Sequence, residues 1–335
     1  MKEHDIRPEG LARRYYELSA ADAERCFPAG IVRHDLPCVA CGGTAVVPAF
    51  SKNGFGYGSC AACGSLFQTP RPGIAAFEAF YRDSESSNYW SDVFFPAVAE
   101  VRRERIFLPR VERLAELAGP SLPPTATVID VGAGYGIFLD EWRKARPADR
   151  LIAIEPSAHL AGECRAKGFE TVEDIVENVA GFEDKADLVV CFEVLEHVYQ
   201  PVEFMATLCA LARPGGLVFI STLGVDGFDI QTLWDKSNAV FPPHHINFLS
   251  VAGFARLFER VGLVEVEITT PGQLDVDIVC NAAKADPTLL DGQRFLARLI
   301  GDDALASNFQ TFLSDNRLSS HCWIIGRRPV EAVRC

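Results

Sequence analysis

Residues 128–136, Val-Ile-Asp-Val-Gly-Ala-Gly-Tyr-Gly, constrain the fold more than any other stretch of this chain. An apolar run closes on Asp130, glycines stand at Gly132, Gly134 and Gly136, and helical spacing begins at Ile137. That order reads as a strand, a tight turn and a helix N-terminus, the place where parallel sheets bind nucleotide-like ligands. Glycines let the backbone approach a ligand where a Cβ would block it. The free N–H groups at the helix start suit a carboxylate. A glycine turn alone is a weak signal, but the next apolar strand, Leu151–Ile154, ends on Glu155 followed by Pro156. A carboxylate there can accept from both hydroxyls of a ribose. Position 137 is Ile, so the third glycine of the dinucleotide fingerprint G-x-G-x-x-G is absent. The alternative is a glycine turn and a strand-end acid in some other α/β protein.

The pattern around this segment alternates. Strands are expected at Thr127–Val131, Leu151–Ile154, Leu188–Phe192, Leu217–Ser221 and Leu263–Thr269. Helices are expected from Tyr135, near Leu160–Lys167, at Val202–Ala212 and at Val251–Val261, with Arg213-Pro214-Gly215-Gly216 as a turn. This is an α/β chain with a mostly parallel sheet and helices on both faces. His321–Arg327 is a late strand candidate, preceded by a largely helical stretch over 286–319. Upstream, four segments follow one another: a helical segment over 1–35 with its helix at Leu11–Cys26, a cysteine module over 36–70, an aromatic helical linker or lid over 71–120, and the main domain over 121–335. Within the linker, Arg102–Leu117 has amphipathic spacing. Tyr81–Phe95 is either a lid or ordinary helix packing, and packing is preferred for most of its side chains.

Of 11 cysteines, four form two pairs, Cys38/Cys41 and Cys60/Cys63, each followed by glycine. The spacing C-x2-C-x18-C-x2-C is that of a four-thiolate zinc site. With four thiolates present no position is left for water, so the Zn2+ is expected to be structural. Loss of metal should unfold so small a module. Redox pairs are the alternative. An odd cysteine count and an N-terminus without an apolar signal core point to a reduced, cytoplasmic protein. No apolar run is long enough to span a bilayer. A net charge of −13, with Lys52 alone among basic residues in 36–70, argues against nucleic acid as a partner.

Several of these segments resemble one family. The pattern D-x-G-x-G-x-G from Asp130, followed by Glu155, resembles the first motif of class I S-adenosylmethionine (SAM) dependent methyltransferases. Asp187–Val198, with its Glu-Val-Leu-Glu-His-Val end, resembles the fourth-strand segment of the branch that includes ubiquinone-pathway O-methyltransferases. With 213–216, the resemblance covers residues 125–270. It implies a Rossmann-like sheet of seven strands in which His321–Arg327 is the last, reversed strand. It further implies a SAM site of Asp130, Gly132, Ala133, Gly134, Glu155, Pro156, Phe192 and Glu193. Some members hold a divalent cation with the residues matching Glu193, Glu196 and His197; the preferred reading here is that Glu196 and His197 cap the helix and order the loop.

A zinc ribbon ahead of such a domain resembles methyltransferases of sugar and polysaccharide pathways. The segment 241–250, Phe-Pro-Pro-His-His-Ile-Asn-Phe-Leu-Ser, resembles the Y-x-E-H-x-x-Y-F-S loop of sugar C-methyltransferases. Pro242 and His244 depart from its Tyr and Glu, so O-methylation is expected ahead of C- or N-methylation. Methyl transfer to a hydroxyl needs a base, and His245, His244 and His197 are the candidates. The expected partner is a small polar acceptor such as a nucleotide sugar or polysaccharide precursor. RNA or protein methylation, and non-catalytic SAM binding, are the alternatives. Acceptor atom and oligomeric state stay open.

Overall fold

The computed structural model describes residues 2–330; Cys335 and the end of the expected main domain lie outside the described residues. Two compact units are present. Among the described residues the first comprises 2–98, Thr222–Phe254 and Ile268–Trp323; the second comprises Ala99–Ser221, Ala255–Glu267 and 324–330. In chain order the strands are β1 (Arg33–His34), β2 (Val46–Lys52), β3 (Phe55–Cys60), β4 (Leu66–Gln68) and β5 (Arg71–Pro72). There follow β6 (Thr127–Val131), β7 (Arg150–Ile154), β8 (Glu170–Val172), β9 (Ala186–Phe192), β10 (Ala212–Leu223), β11 (Asn247–Phe248), β12 (Val264–Thr269) and β13 (His321–Arg327).

The second unit is built on a seven-stranded sheet of order β12-β13-β10-β9-β6-β7-β8. Strands β10, β9, β6, β7 and β8 run parallel. Burial of every residue of β9, and of Val128–Val131 in β6, accounts for their mostly apolar character, broken by Asp187 and Asp130 alone. Strand β13 runs against β10. Arg328 N–H donates to Gly216 O at 2.9 Å and Gly224 N–H to Ser320 O at 2.7 Å, an antiparallel register at both ends of the pair. The Rossmann-like, seven-stranded sheet expected above is therefore present, including its reversed strand.

Residues 213–216 do not form a separate turn. They lie inside β10, where Ala212 faces Ala186 and Leu217 faces Leu188, so four residues bulge out of the ladder. Gly216 is required there, because a Cβ would lie 2.7 Å from the Ala186 carbonyl.

In the first unit, β2, β3, β4 and β11 form a four-stranded sheet of order β11-β4-β3-β2 that carries the cysteine knuckles. The helix Glu9–Cys26 buries Leu18, Ser19, Asp22 and Ala23, a stripe of one helical face. Asp22 caps a neighbouring helix, Glu85–Tyr89: its carboxylate accepts the N–H groups of Ser86 (2.8 Å) and Glu85 (3.2 Å). The expected amphipathic helix over 102–117 is interrupted by a turn of π-helix at Arg103–Phe107, and the regular helix runs from Leu108 to Ala118. No helix of the described residues is long and apolar enough to cross a membrane.

Candidate functional site

In the second unit the carboxyl ends of three adjacent strands, β9, β6 and β7, carry Phe192, Asp130 and Glu155. After β6 the chain turns sharply. Gly132 has φ of +75°, and its N–H donates to Ile154 O at 2.8 Å, which ties the turn to β7. A Cβ at Gly132 would lie 2.7 Å from Val194 Cγ2, so the turn accepts no side chain there. Both oxygens of Glu155 are engaged by backbone: Oε2 accepts from Gly134 N–H and Oε1 from Ser157 N–H, each at 2.9 Å. Pro156 is exposed beside it. Burial pushes the Glu155 carboxyl up, against the pull of those two N–H groups.

Asp130 behaves differently. It is 1% exposed, and its Oδ1 has no hydrogen-bond partner. Burial, then the negative charge of Glu155, push its carboxyl up to about 8. A buried carboxyl with an orphaned oxygen, a glycine turn open to a ligand and a fixed strand-end carboxylate together fit the polar groups of SAM: amino group, carboxylate and ribose.

Beside the end of β9 lies Arg110, a group that the sequence did not single out. Glu193 has a left-handed backbone, φ +55°, uncommon and strained for a residue with a side chain. Three hydrogen bonds hold it: its N–H donates to Ser221 O (2.8 Å), and its Oε1 accepts from Ser221 Oγ (2.5 Å) and Arg110 Nη2 (3.0 Å). Arg110 is 3% exposed, and its guanidinium lies 4.5 Å over the Phe192 ring. Burial lowers the Arg110 pKa, against the attraction of Glu193. Spacing offered one signal: Arg110 shares the buried stripe of Val111, Leu114 and Ala118, where a charge needs a partner. Further on, Glu196 is buried and His197 half-buried in the short 3₁₀ turn Leu195–His197.

The first unit holds the other candidates. His245 is half-buried, and its Nδ1 lies 2.7 Å from Ala239 O. A carbonyl only accepts, so Nδ1 is the ring nitrogen that carries a proton in this contact. His244 is 3% exposed, stacked on Phe241 at 5.3 Å, with Nε2 3.1 Å from Ser86 Oγ. Ser86 Oγ in turn donates to Asp22 at 2.7 Å. His244 is thus part of an aromatic core. Trp90, stacked on Phe94 at 4.5 Å, and Tyr81, whose hydroxyl donates to His244 O at 3.3 Å, pack into that same first unit. Asp275 is also internal: it accepts from Gln310 (2.8 Å), Ser319 Oγ (2.6 Å) and Ser320 N–H (2.7 Å).

Cys38, Cys41, Cys60 and Cys63 come together, with all four Sγ atoms within 4.8 Å of one another. Each knuckle turns on a left-handed glycine, Gly42 (φ +77°) and Gly64 (φ +78°), whose N–H returns to the first cysteine's carbonyl at 2.8 Å. Four thiols at this separation fit one tetrahedral Zn2+ with no open position.

The family model described as "Methyltransferase domain" matches residues 99–268, half of the chain. The ubiquinone biosynthesis O-methyltransferase of Xanthomonas oryzae pv. oryzae (strain PXO99A) is 31% identical over 144 residues, 41% of this chain and 57% of that protein. Its counterpart in Xanthomonas euvesicatoria pv. vesicatoria is 31% identical over 190 residues, 53% of this chain and 76% of that protein. The chain thus spans 57% of the length of the first of these relatives. A solved SAM-dependent methyltransferase of Thermotoga maritima, described as a possible histamine N-methyltransferase, is 15% identical, with TM-score 0.43, covering 70% of this chain and 97% of its own. Through residues 99–268 this chain belongs to the methyltransferase-domain family.

Proposed function

We propose that the protein transfers a methyl group from SAM to a hydroxyl of a small polar acceptor. The observation that carries this reading is the strand-end constellation of Asp130, the Gly132–Gly136 turn and Glu155 in a chain of this family. SAM, when bound, supplies an electrophilic methyl on a sulfonium. The chain's own residues do the rest. Gly132 and Gly134 give the donor room, Glu155 holds the turn and takes the ribose, and Asp130 serves the amino group. Phe192 and Glu193 border the donor, with Arg110 fixing both. His245, its ring oriented through Nδ1 by the Ala239 carbonyl, is the group we assign to removing the acceptor's proton. His244 is too enclosed by Phe241 and Ser86 for that role, and His197 ranks after His245. The four cysteines hold a structural zinc ion.

Two acceptor classes follow from different observations. The cysteine module ahead of the family domain favours a nucleotide sugar or polysaccharide precursor. The name of the relatives, ubiquinone biosynthesis O-methyltransferase, favours a hydroxyl of a ubiquinone precursor. A methyl-transfer screen over both classes, with mass detection of the product, decides between them. RNA is disfavoured: Lys52, the one basic residue of 36–70, gives its Nζ to Ser237 O at 2.7 Å. Failure of every acceptor in a protein that binds SAM would point instead to a non-catalytic binder. Metal analysis of the purified protein should return about one zinc per chain; a clearly substoichiometric content would remove the zinc assignment.

A further inference from the structure

The cysteine sheet and the histidine segment are one hydrogen-bonded object. Strand β11 has two residues, Asn247 opposite Phe67 and Phe248 opposite Leu66 of β4. So short a strand has no stability of its own and exists only as an addition to a sheet. On its N-terminal side, Tyr57 of β3 donates its hydroxyl to the His245 carbonyl at 2.7 Å, and Gln68 N–H donates to the Ile246 carbonyl at 2.8 Å. On its C-terminal side the link reaches the thiols. Ser250 N–H donates to Ser65 Oγ at 3.1 Å, Ser65 Oγ accepts from Cys63 Sγ at 3.3 Å, and Ser250 Oγ donates to the Cys63 carbonyl. The backbone from the His245 carbonyl to Ser250 is therefore held from the sheet that carries the knuckles.

Stripped of its metal, the module loses the tie that joins its two knuckles. Strand β11 would then lose its pairing with β4. Building on the assignments of His245 and of the zinc ion, we infer that the four-cysteine module controls methyl transfer by holding the backbone of His245. Removing the metal frees residues 245–250 and stops acceptor turnover while donor binding persists. Tyr57, Ser65 and Ser250 are positioning residues in this arrangement. They act on His245 through its backbone.

Hydrogen exchange on the full-length protein, with zinc as isolated and after chelation under reducing conditions, tests the inference without reference to activity. Protection should be lost together in 55–68 and 245–250, while SAM affinity by calorimetry stays within about twofold. Protection retained in 245–250 after it is lost in 55–68 would overturn the inference. So would loss of SAM binding in step with the metal. Tyr57→Phe and Ser250→Ala, measured at full zinc content, keep the test sharp if chelation unfolds the whole chain. Each should speed exchange in 246–250 and lower kcat about five- to tenfold with the KM for SAM unchanged, the effect of one lost hydrogen bond. Wild-type exchange and kcat in both variants would sink the proposal. If His245 is not the base, His245→Ala keeps its turnover while the exchange coupling remains, so the two readings fail separately.

Discussion

Both carboxylate oxygens of Glu155 accept backbone N–H groups, from Gly134 and from Ser157, so this one side chain fixes the glycine turn relative to β7. Glu155→Ala removes a charge-assisted contact of about 1.5–3 kcal/mol, and SAM affinity should fall about ten- to hundredfold. Glu155→Gln, which keeps one acceptor oxygen, should fall between. Calorimetry returning one affinity for wild type and Glu155→Ala would exclude the ribose role. At the next strand end, Arg110 and Glu193 are coupled in stability as well as in position. Removing one partner of a buried ion pair costs about 3–5 kcal/mol. Glu193 is one-third exposed, so Arg110→Ala belongs near the lower end. Arg110→Met, which keeps the packing on Phe192, should cost less. Urea denaturation of the two variants measures the difference, and equal midpoints would show that the guanidinium, not its apolar stem, is what Phe192 and Glu193 require.

Among the connecting elements, Gly227 marks a close approach of one segment's backbone to another's. Its backbone is extended, φ −66° and ψ +138°, so an alanine is conformationally allowed. A Cβ there would nevertheless lie 2.2 Å from Ser320 Cα, a backbone atom that cannot rotate away. Gly227→Ala should therefore destabilise by about 1–3 kcal/mol through overpacking. A melting temperature equal to wild type would mean that the two segments part freely. The same contrast separates what the sequence disclosed at this level from what it hid. Strands β6, β7 and β9 were readable because they are continuous apolar runs ending in Asp130, Glu155 and Glu193. Strand β8, Glu-Thr-Val, is a polar edge strand with no such run. Two-residue β11 has no periodicity to read, and its pairing with β4 is a contact across almost 180 residues. For the same reason His245 could be picked out by residue type, while Tyr57 and Ser65, which hold its segment, could not. Arg110 stayed hidden because a helical arginine is normally solvated.

For the molecule as a whole, pH acts through two buried carboxyls as well as through its net charge of −13. Asp130 is pushed up to about 8 by burial and Glu155. Asp229, 1% exposed with its Oδ1 unpartnered, is pushed well above its ordinary value by burial and by Asp275 beside it. Both shifts are upward, so between an unfolded value near 3.8 and the raised folded value the native chain holds protons that the unfolded chain has released. Stability from these two sites is thus fullest at low pH, falls as pH rises through that window, and levels off above it. Asp130→Asn and Asp229→Asn cannot ionise and should flatten this slope. Melting temperatures at about pH 5 and about pH 9 should drop further in wild type than in either variant, with each variant gaining on wild type at the alkaline end. General repulsion among surface carboxylates is screened at about 0.5 M salt, whereas a buried pair is shielded from the ions. The difference between wild type and variants should therefore survive added salt. Parallel melting curves across pH, or a difference that salt abolishes, would assign the alkaline instability to the surface instead.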